Sequence, residues 1–289
     1  AAKNKGKADA EAKIVAALFF DNRVAVVTGA ARGQGRSHAV ALAAEGADII
    51  AIDLCSDIAS IPYPLSTKAD LDETAAMVEA IGRRAVPVIA DVRNLEDLQA
   101  AVRSGIDQLG EVDIVVANAG VVAIGRKDPL DENVYRDIVD TNLNGVWHTI
   151  AATVPSIIRK GRGGSIILIS SAQGLVGRGG DGSAAMFAYA AAKHGVVGLM
   201  RSAANAYAAQ NIRVNSVHPT GVNTPMIMNE HTARMMQEHP NAPSLSANLM
   251  SAPYVEPEDV TNAVVWLASS KSRYVTGATL PVGAGHAVM

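Results

Sequence analysis

Seven short apolar runs recur along the chain, and they restrict its fold more than any other feature. They are "RVAVVT" (23–28), "ADIIAIDL" (47–54), "AVPVIADV" (85–92), "VDIVVANA" (112–119), "GSIILISS" (164–171), "IRVNSVHP" (212–219) and "ATLPVG" (278–283). Val, Ile and Ala fill them almost continuously instead of alternating with polar residues. A strand reads that way when both its faces are covered, as in parallel sheets. Helical stretches lie between the runs. "GRSHAVALAAEG" has apolar spacing and stops at a glycine. "NLEDLQAAVRSGIDQLG" opens on Asn94, a good N-cap, with Glu96 and Asp97 favourably placed in the first turn. Strands alternating with helices require right-handed crossovers, which build an α/β fold with one doubly wound, mainly parallel, seven-stranded sheet and helices on both faces.

Without repeats or a break in composition, residues 22–289 read as one domain. With 49% hydrophobic residues in a chain of 289, one large core can be buried. Residues 1–21 read as an amino-terminal tail outside the fold. Their longest apolar run, "IVAALFF", falls well short of the ~18 residues that span a membrane. A net charge of −3 argues against a nucleic-acid surface, which needs a basic excess. The single cysteine, Cys55, allows no intrachain disulfide and fits a reducing, cytoplasmic setting. None of the seven histidines has metal-ligand spacing, so no metal site is expected. Two segments break the alternation. One is an insertion at 55–68, "CSDIASIPYPLST" and one residue more, too long for an ordinary strand–helix loop. The other, at about 220–257, holds five prolines and five of the nine methionines, and reads as a substrate lid.

"TGAARGQGRSH" (28–38) follows the first strand and opens the first helix. Gly29, Gly33 and Gly35 would let the backbone turn sharply and let a pyrophosphate approach the free N–H groups of the helix start. A glycine-rich structural turn is the other reading of the loop alone. Asp53 ends the second strand 18 residues after Gly35, near the spacing of an acid that accepts hydrogen bonds from an adenosine ribose. Such a carboxylate repels a 2′-phosphate and favours NAD over NADP. Arg32 pulls toward NADP, because a guanidinium could pair with that phosphate. Direct ribose contact by Asp53 weighs more. Together the loop and the acid make the expected fold Rossmann-type. Leu54, Asp91 and Val92 lie at strand ends where adenosine would be held.

"YAAAK" sets Tyr189 and Lys193 four residues apart, on one face of a helix. An ammonium beside a phenol favours phenolate, and is expected here to lower the tyrosine pKa toward working pH. The tyrosine then serves as base for an alcohol or acid for a ketone. "IILISSAQG" ends a strand on Ser170 and Ser171, whose hydroxyls would face the ligand crevice. Asn118, Ala119 and Gly120 end another strand at the same edge, and Asn142 stands inside a helical stretch.

These motifs, in this order, resemble the short-chain dehydrogenases/reductases from Arg23 onward. The family's T-G-x-x-x-G-x-G stands as Thr28 to Gly35, with Gln34 where isoleucine is usual. Its N-A-G is Asn118 to Gly120, and its catalytic set matches Asn142, Ser171, Tyr189 and Lys193. "HPTGVNTPM" carries Thr220 in place of the usual glycine. The resemblance adds Tyr189, Lys193 (to the nicotinamide ribose), Pro219, Val222 and Thr224 to the cofactor contacts and Met226 to the substrate contacts beside Ser171 and Tyr189. Eighteen residues separate Ser171 from Tyr189, more than is usual in the family, so Ser170 and Ser183 stand as alternatives to the strand-anchored Ser171. Gly283 also replaces the usual acid of the carboxy-terminal motif.

The glycine loop, the insertion and "HPTGVNTPM" are similar to the carveol-dehydrogenase-like subfamily associated with the redox carrier mycofactocin. That implies oxidation of a hydrophobic secondary alcohol to a ketone with NAD that exchanges poorly, an insertion over the adenosine end, and a homotetramer. Asn142 would anchor a proton-relaying water, and Met226, Met228, Met235 and Met236 would either line an apolar pocket or pack the lid against the body. Two other readings are an NADP-linked ketone reductase, on Arg32, and a non-catalytic NAD-binding sensor, against which the full Ser/Tyr/Lys set argues.

Overall fold

The computed structural model describes residues 18–124, 130–177, 180–238 and 248–288. Seven strands form one sheet: β1 (Arg23–Thr28), β2 (Ala47–Asp53), β3 (Ala85–Ile89), β4 (Ile114–Ala117), β5 (Gly164–Ile169), β6 (Ile212–Pro219) and β7 (Thr279–Val282). The order is β3-β2-β1-β4-β5-β6-β7, and every neighbouring pair is parallel. The chain winds outward from β1 to β3, then crosses back to β4 on the other side of β1. The carboxyl ends of β1 and β4 therefore flank a topological switch point, where such sheets bind ligands.

The apolar runs account for the strands because both faces are covered. Val24 and Val26 face one helical layer, built from α3 (Leu95–Leu109), α5 (Gly145–Lys160) and α6 (Ala184–Tyr207). Ala25 and Val27 face the other layer, built from α1 (Gly33–Ala44), α2 (Lys68–Ala80) and α8 (Pro257–Ala268). Two shorter helices, α4 (Glu132–Val139) and α7 (Glu230–Glu238), sit at the carboxyl edge and in the lid segment. Asn94 caps α3 as expected, accepting from the N–H groups of Glu96 and Asp97. β1 and β6 match their apolar runs from end to end, while the other strands stop short of theirs. Ala90 to Val92, for example, leave the sheet after β3 and turn toward the cleft.

Phe20 departs from the expected tail. It is buried in the core, and its N–H donates to the Glu45 carbonyl. Residues 1–17 of that tail lie outside the described residues. At the amino edge of the sheet, Asp113 pairs with Arg23, Lys160 and Arg162, and fastens the starts of β1 and β5 to β4.

α1 packs on α8 through a buried polar contact. His38 is wholly buried, its Nδ1 2.7 Å from Thr261 Oγ1, while its Nε2 has no partner. Burial pushes its pKa from 6.5 down to about 3. Unfolding releases this block, so below about pH 6.5 the unfolded chain takes up a proton that the folded chain refuses. His218, lowered to about 4, acts in the same direction. Stability is therefore expected to fall as pH drops from 6.5 toward 3, with each unit of pKa separation worth about 1.4 kcal/mol. Denaturant unfolding across that range should show a shallower fall for His38→Leu. An equal slope in both proteins would refute this assignment.

Candidate functional site

The glycine loop is held from below before it meets any ligand. Gly29 and Gly33 have positive φ, +66° and +55°. Gly35 lies against the loop itself: a Cβ there would stand 1.9 Å from the Gly29 carbonyl oxygen and 2.7 Å from Asn118 Nδ2. Asn118 ties β1 to β4, its Nδ2 donating to the Thr28 and Gly29 carbonyls, while Thr28 Oγ1 accepts from the N–H groups of Asn118 and Ala119. Arg36 and Thr74 donate to the Ala31 carbonyl. Arg32 is the N-cap of α1 but offers no side-chain cap, so the first N–H groups of α1 have no capping acceptor.

This loop walls a cleft over the switch point. Of the expected cofactor contacts, Gly29, Arg32, Gly33, Gln34, Asp53, Leu54, Asp91, Val92, Asn118, Ala119, Gly120 and Thr224 line it. Gly35 lies beneath the loop. Pro219, Val222, Tyr189 and Lys193 are also absent from the lining: Pro219 ends β6, Val222 is buried in a bridge with Val255, Tyr189 lines the adjoining pocket and Lys193 is buried.

Asp53 is buried at the end of β2. Its carboxylate accepts from the N–H groups of Ala31 (2.9 Å) and Cys55 (3.2 Å) and from the Ser66 hydroxyl. That leaves part of its acceptor capacity facing the cleft. Arg32 does not pair with Asp53. Its guanidinium donates to the Pro64 carbonyl at 2.7 Å and clips the insertion onto the glycine loop. The insertion is also fastened by Ser60 to Asp137 (2.6 Å) and by Ser66 to Asp53. It reaches toward the strand ends beyond β4: Tyr63 is buried in one apolar cluster with Val121 and Tyr189. Asp91 is likewise engaged, by Arg93, which bridges to Asp137.

The second group lies past the carboxyl ends of β5 and β6. Ser171 follows β5, its hydroxyl beside the Tyr189 phenol and accepting from the Gln173 N–H at 3.1 Å. The alternative serines are occupied elsewhere. Ser170 donates to the Lys193 carbonyl (2.8 Å), and Ser183 caps α6 while donating to Asp181. Lys193 is buried, with Nζ 5.6 Å from the Tyr189 ring centroid and donating to the Ile169 carbonyl at 2.9 Å. Burial pushes it down to about 8. The expected lowering of the tyrosine is not met: burial raises the Tyr189 phenol, and the Ser171 hydroxyl beside it only partly offsets the rise. The Lys193 ammonium lies against the ring and is hydrogen-bonded to the Ile169 carbonyl, not to the phenol oxygen.

Asn142 stands in a π-helical turn, Asp140–Asn144, not in a regular helix. Both its side-chain N–H groups are donated, to the Val121 and Ile138 carbonyls, and its Oδ1 accepts from the Val121 N–H. No side-chain donor remains for a relay water. A Cβ on Gly120 would lie 2.6 Å from Asn142 Oδ1 and 3.5 Å from Lys193 Nζ, so glycine there lets the three elements close.

Ser171 and Tyr189 also line a smaller, mostly apolar pocket with Val122, Ile124, Met186 and Ile227. Met226 borders both this pocket and the cleft, so the two adjoin. The other lid methionines do not line it. Met228 and Met236 are exposed, because the segment turns through a loop before α7 and shows them to solvent. Residues 239–247 of the lid lie outside the described residues.

A dinucleotide fits this arrangement. The buried oxygens Gln34 Oε1 and Thr141 Oγ1 have no partner, and both residues line the cleft. Thr141 escapes a reading of the sequence, since a threonine in a helical stretch carries no signal. Ser66 and Tyr63 escape it too, because a loop's path across the cleft has no periodicity. Among the described residues no cluster could hold a metal ion.

The sequence model of the short chain dehydrogenase family matches residues 23–235. The (-)-trans-carveol dehydrogenase of Rhodococcus erythropolis is 49% identical over 92% of this chain and 97% of its own length. The crystal structure of carveol dehydrogenase from Mycobacterium avium in complex with NAD superposes with a TM-score of 0.86 at 47% identity, covering 94% of this chain and 99% of that one. A short chain dehydrogenase from Mycobacterium paratuberculosis bound to NAD has the same TM-score at 44% identity, over 94% and 100% of the two chains.

Removing the Arg32 clip should loosen the insertion without unfolding the sheet. In Arg32→Ala, hydrogen exchange at the Ile61 and Leu65 amides is expected to speed up severalfold, the equivalent of about 1 kcal/mol for one hydrogen bond. Unchanged exchange at those amides would show that the other contacts suffice.

Proposed function

Since this chain belongs to the short-chain dehydrogenase family and is an NAD-dependent alcohol oxidoreductase, we propose that it oxidises a hydrophobic, carveol-like secondary alcohol to the ketone. The observation that carries the reading is that Ser171 and Tyr189 line one apolar pocket where it adjoins the cleft. Bound NAD supplies the hydride acceptor. Ser171 holds the alcohol oxygen and stabilises charge developing there. Tyr189 accepts the hydroxyl proton. Lys193, buried beneath the ring, favours the phenolate that this requires. We assign Asn142 to holding Gly120 and Val121 against Lys193, because its amide is spent on the backbone.

Asp53 supports the choice of NAD. It borders the cleft with no cation paired to it among the described ion pairs, and it would repel a 2′-phosphate. The NADP-linked reductase rests on Arg32, whose guanidinium is bound to Pro64, and the relatives favour neither it nor the sensor reading. Several finer points belong to the same proposal. The insertion, fastened by Arg32 and Ser60 over the cleft, slows NAD exchange, which suits hand-over of electrons to an external carrier such as mycofactocin. Exposed Trp147 on α5 and Phe187 on α6 supply apolar surface for a homotetramer. A cytoplasmic setting agrees with the lone, free Cys55.

Tyr189→Phe tests the chemistry. It should lower kcat for carveol oxidation by about 10²- to 10⁴-fold while NAD binding persists. Retained turnover would sink the mechanism, and tighter binding of NADP than NAD would sink the cofactor choice. Because burial raises the phenol, oxidation should speed up as pH rises, since each step uncovers more of the basic form. A rate profile that falls with rising pH would contradict this.

A further inference from the structure

The ladder between β5 and β6 ends one residue too early to fix Ser171. Ile169 pairs with Val217, and the Ser170 N–H makes the last bond, to the Val217 carbonyl at 2.8 Å. Ser171 continues in extended conformation (φ −164°, ψ 161°) with no strand partner. Two donors hold its carbonyl instead. One is the Gly174 N–H at 2.8 Å, from the turn that follows. The other is the imidazole of His218, whose Nδ1 lies 2.9 Å away.

The carbonyl can only accept, so Nδ1 must carry the proton. Nε2, 2.8 Å from Ser216 Oγ, must then accept from that hydroxyl. Ser216 and His218 stand two apart on β6, so both side chains leave the same face of the strand. The ring is fully buried between them. The Ser171 carbonyl thus fixes the tautomer, the Ser216 hydroxyl completes it, and the ring grips the residue beside Tyr189.

We infer that His218 is a positioning residue: it extends the β5–β6 ladder by one side chain and so sets the aim of the Ser171 hydroxyl at Tyr189. His218 touches neither the cleft nor the apolar pocket, and acts only through Ser171. Its neutral form is secured by burial, with the nearby charges of Lys193 and His194 disfavouring a second proton, so the grip persists down to about pH 4. The inference rests on the proposed role of Ser171.

Two substitutions separate the ring's two contacts. In His218→Asn the side-chain amide can reproduce the Nδ1 donor to Ser171 but not reach Ser216. In His218→Gln the longer amide reproduces the Nε2 contact instead. Positioning predicts that His218→Gln lowers kcat for carveol oxidation by roughly 10- to 100-fold, as misplacement of a reacting group does. KM and NAD binding should hold. His218→Asn should recover most of the loss, and the rise of rate with pH should move to higher pH in His218→Gln alone. In a Ser171→Ala background His218→Gln should cost little more, because both changes act at one point.

Nitrogen NMR of the native protein gives a readout independent of turnover. It should report His218 as the Nδ1–H tautomer, without change between neutral pH and about pH 5. Equal kcat in the Asn and Gln variants, additive losses with Ser171→Ala, or an Nε2–H tautomer would each overturn the inference. Full turnover by Ser171→Ala alone would instead overturn the proposed role of Ser171. An impaired Ser171→Ala beside unimpaired His218 variants would overturn only His218.

Discussion

Parallel strands that all end on one edge leave their last backbone groups without ladder partners, and buried backbone cannot go unpaired. Side chains take over that task here. Thr28 and Asn118 close the ends of β1 and β4 on each other. Asp53, at the end of β2, accepts from the loop N–H of Ala31. Asn142 satisfies both backbone groups of Val121, beyond the end of β4. The site is thus made of bonds that the sheet could not make for itself. Its precision comes from their being buried and mutually consistent.

The same bonds explain why a loop-built site can be rigid. The glycine loop is gripped by β2 through Asp53, by α2 through Thr74 and by β4 through Asn118. Gly35 permits this grip, since any side chain would collide with the Gly29 carbonyl. The insertion adds a second layer. It lacks regular structure between β2 and α2, yet it buries Ile58, Ile61 and Tyr63 in a small apolar cluster with α4 and the start of α6. Polar clips alone would hold such a segment weakly. Apolar burial does most of the holding, and Arg32 and Ser60 fix where it sits.

Much of the fold was legible because burial on both faces writes itself into composition. β1 and β6 could be read residue for residue, and the cap at Asn94 was plain. Phe20 was lost because an apolar residue before a strand looks the same whether it lies in a tail or under a core. The site was legible where one backbone geometry demands one residue type, as at Gly29, Gly33 and Gly35. It was ambiguous where direction matters. Ser170 and Ser171 are adjacent and chemically identical, and only the alternation of the extended chain sends one to the α6 backbone and the other to Tyr189. Lid methionines misled for the same reason: their number was visible and their facing was not.

Four buried side-chain polar atoms among the described residues lack partners: Gln34 Oε1, His38 Nε2, Arg83 Nε and Thr141 Oγ1. Leaving such an atom unpaired costs about 1–3 kcal/mol. His38 and Arg83 do not border the cleft. Gln34 and Thr141 differ in that both border the cleft, on opposite sides of the switch point, one in α1 and one in the π turn. Other polar groups around the cleft are at least partly engaged by the protein: Asn118 Nδ2 by the glycine loop, Asp91 by Arg93, Arg32 by Pro64. Gln34 Oε1 and Thr141 Oγ1 are the buried oxygens that the folded chain leaves without any partner beside it. A ligand that carries hydroxyl or amide groups to those two points recovers a cost the folded chain already bears. Binding there is favoured before any new apolar contact is counted.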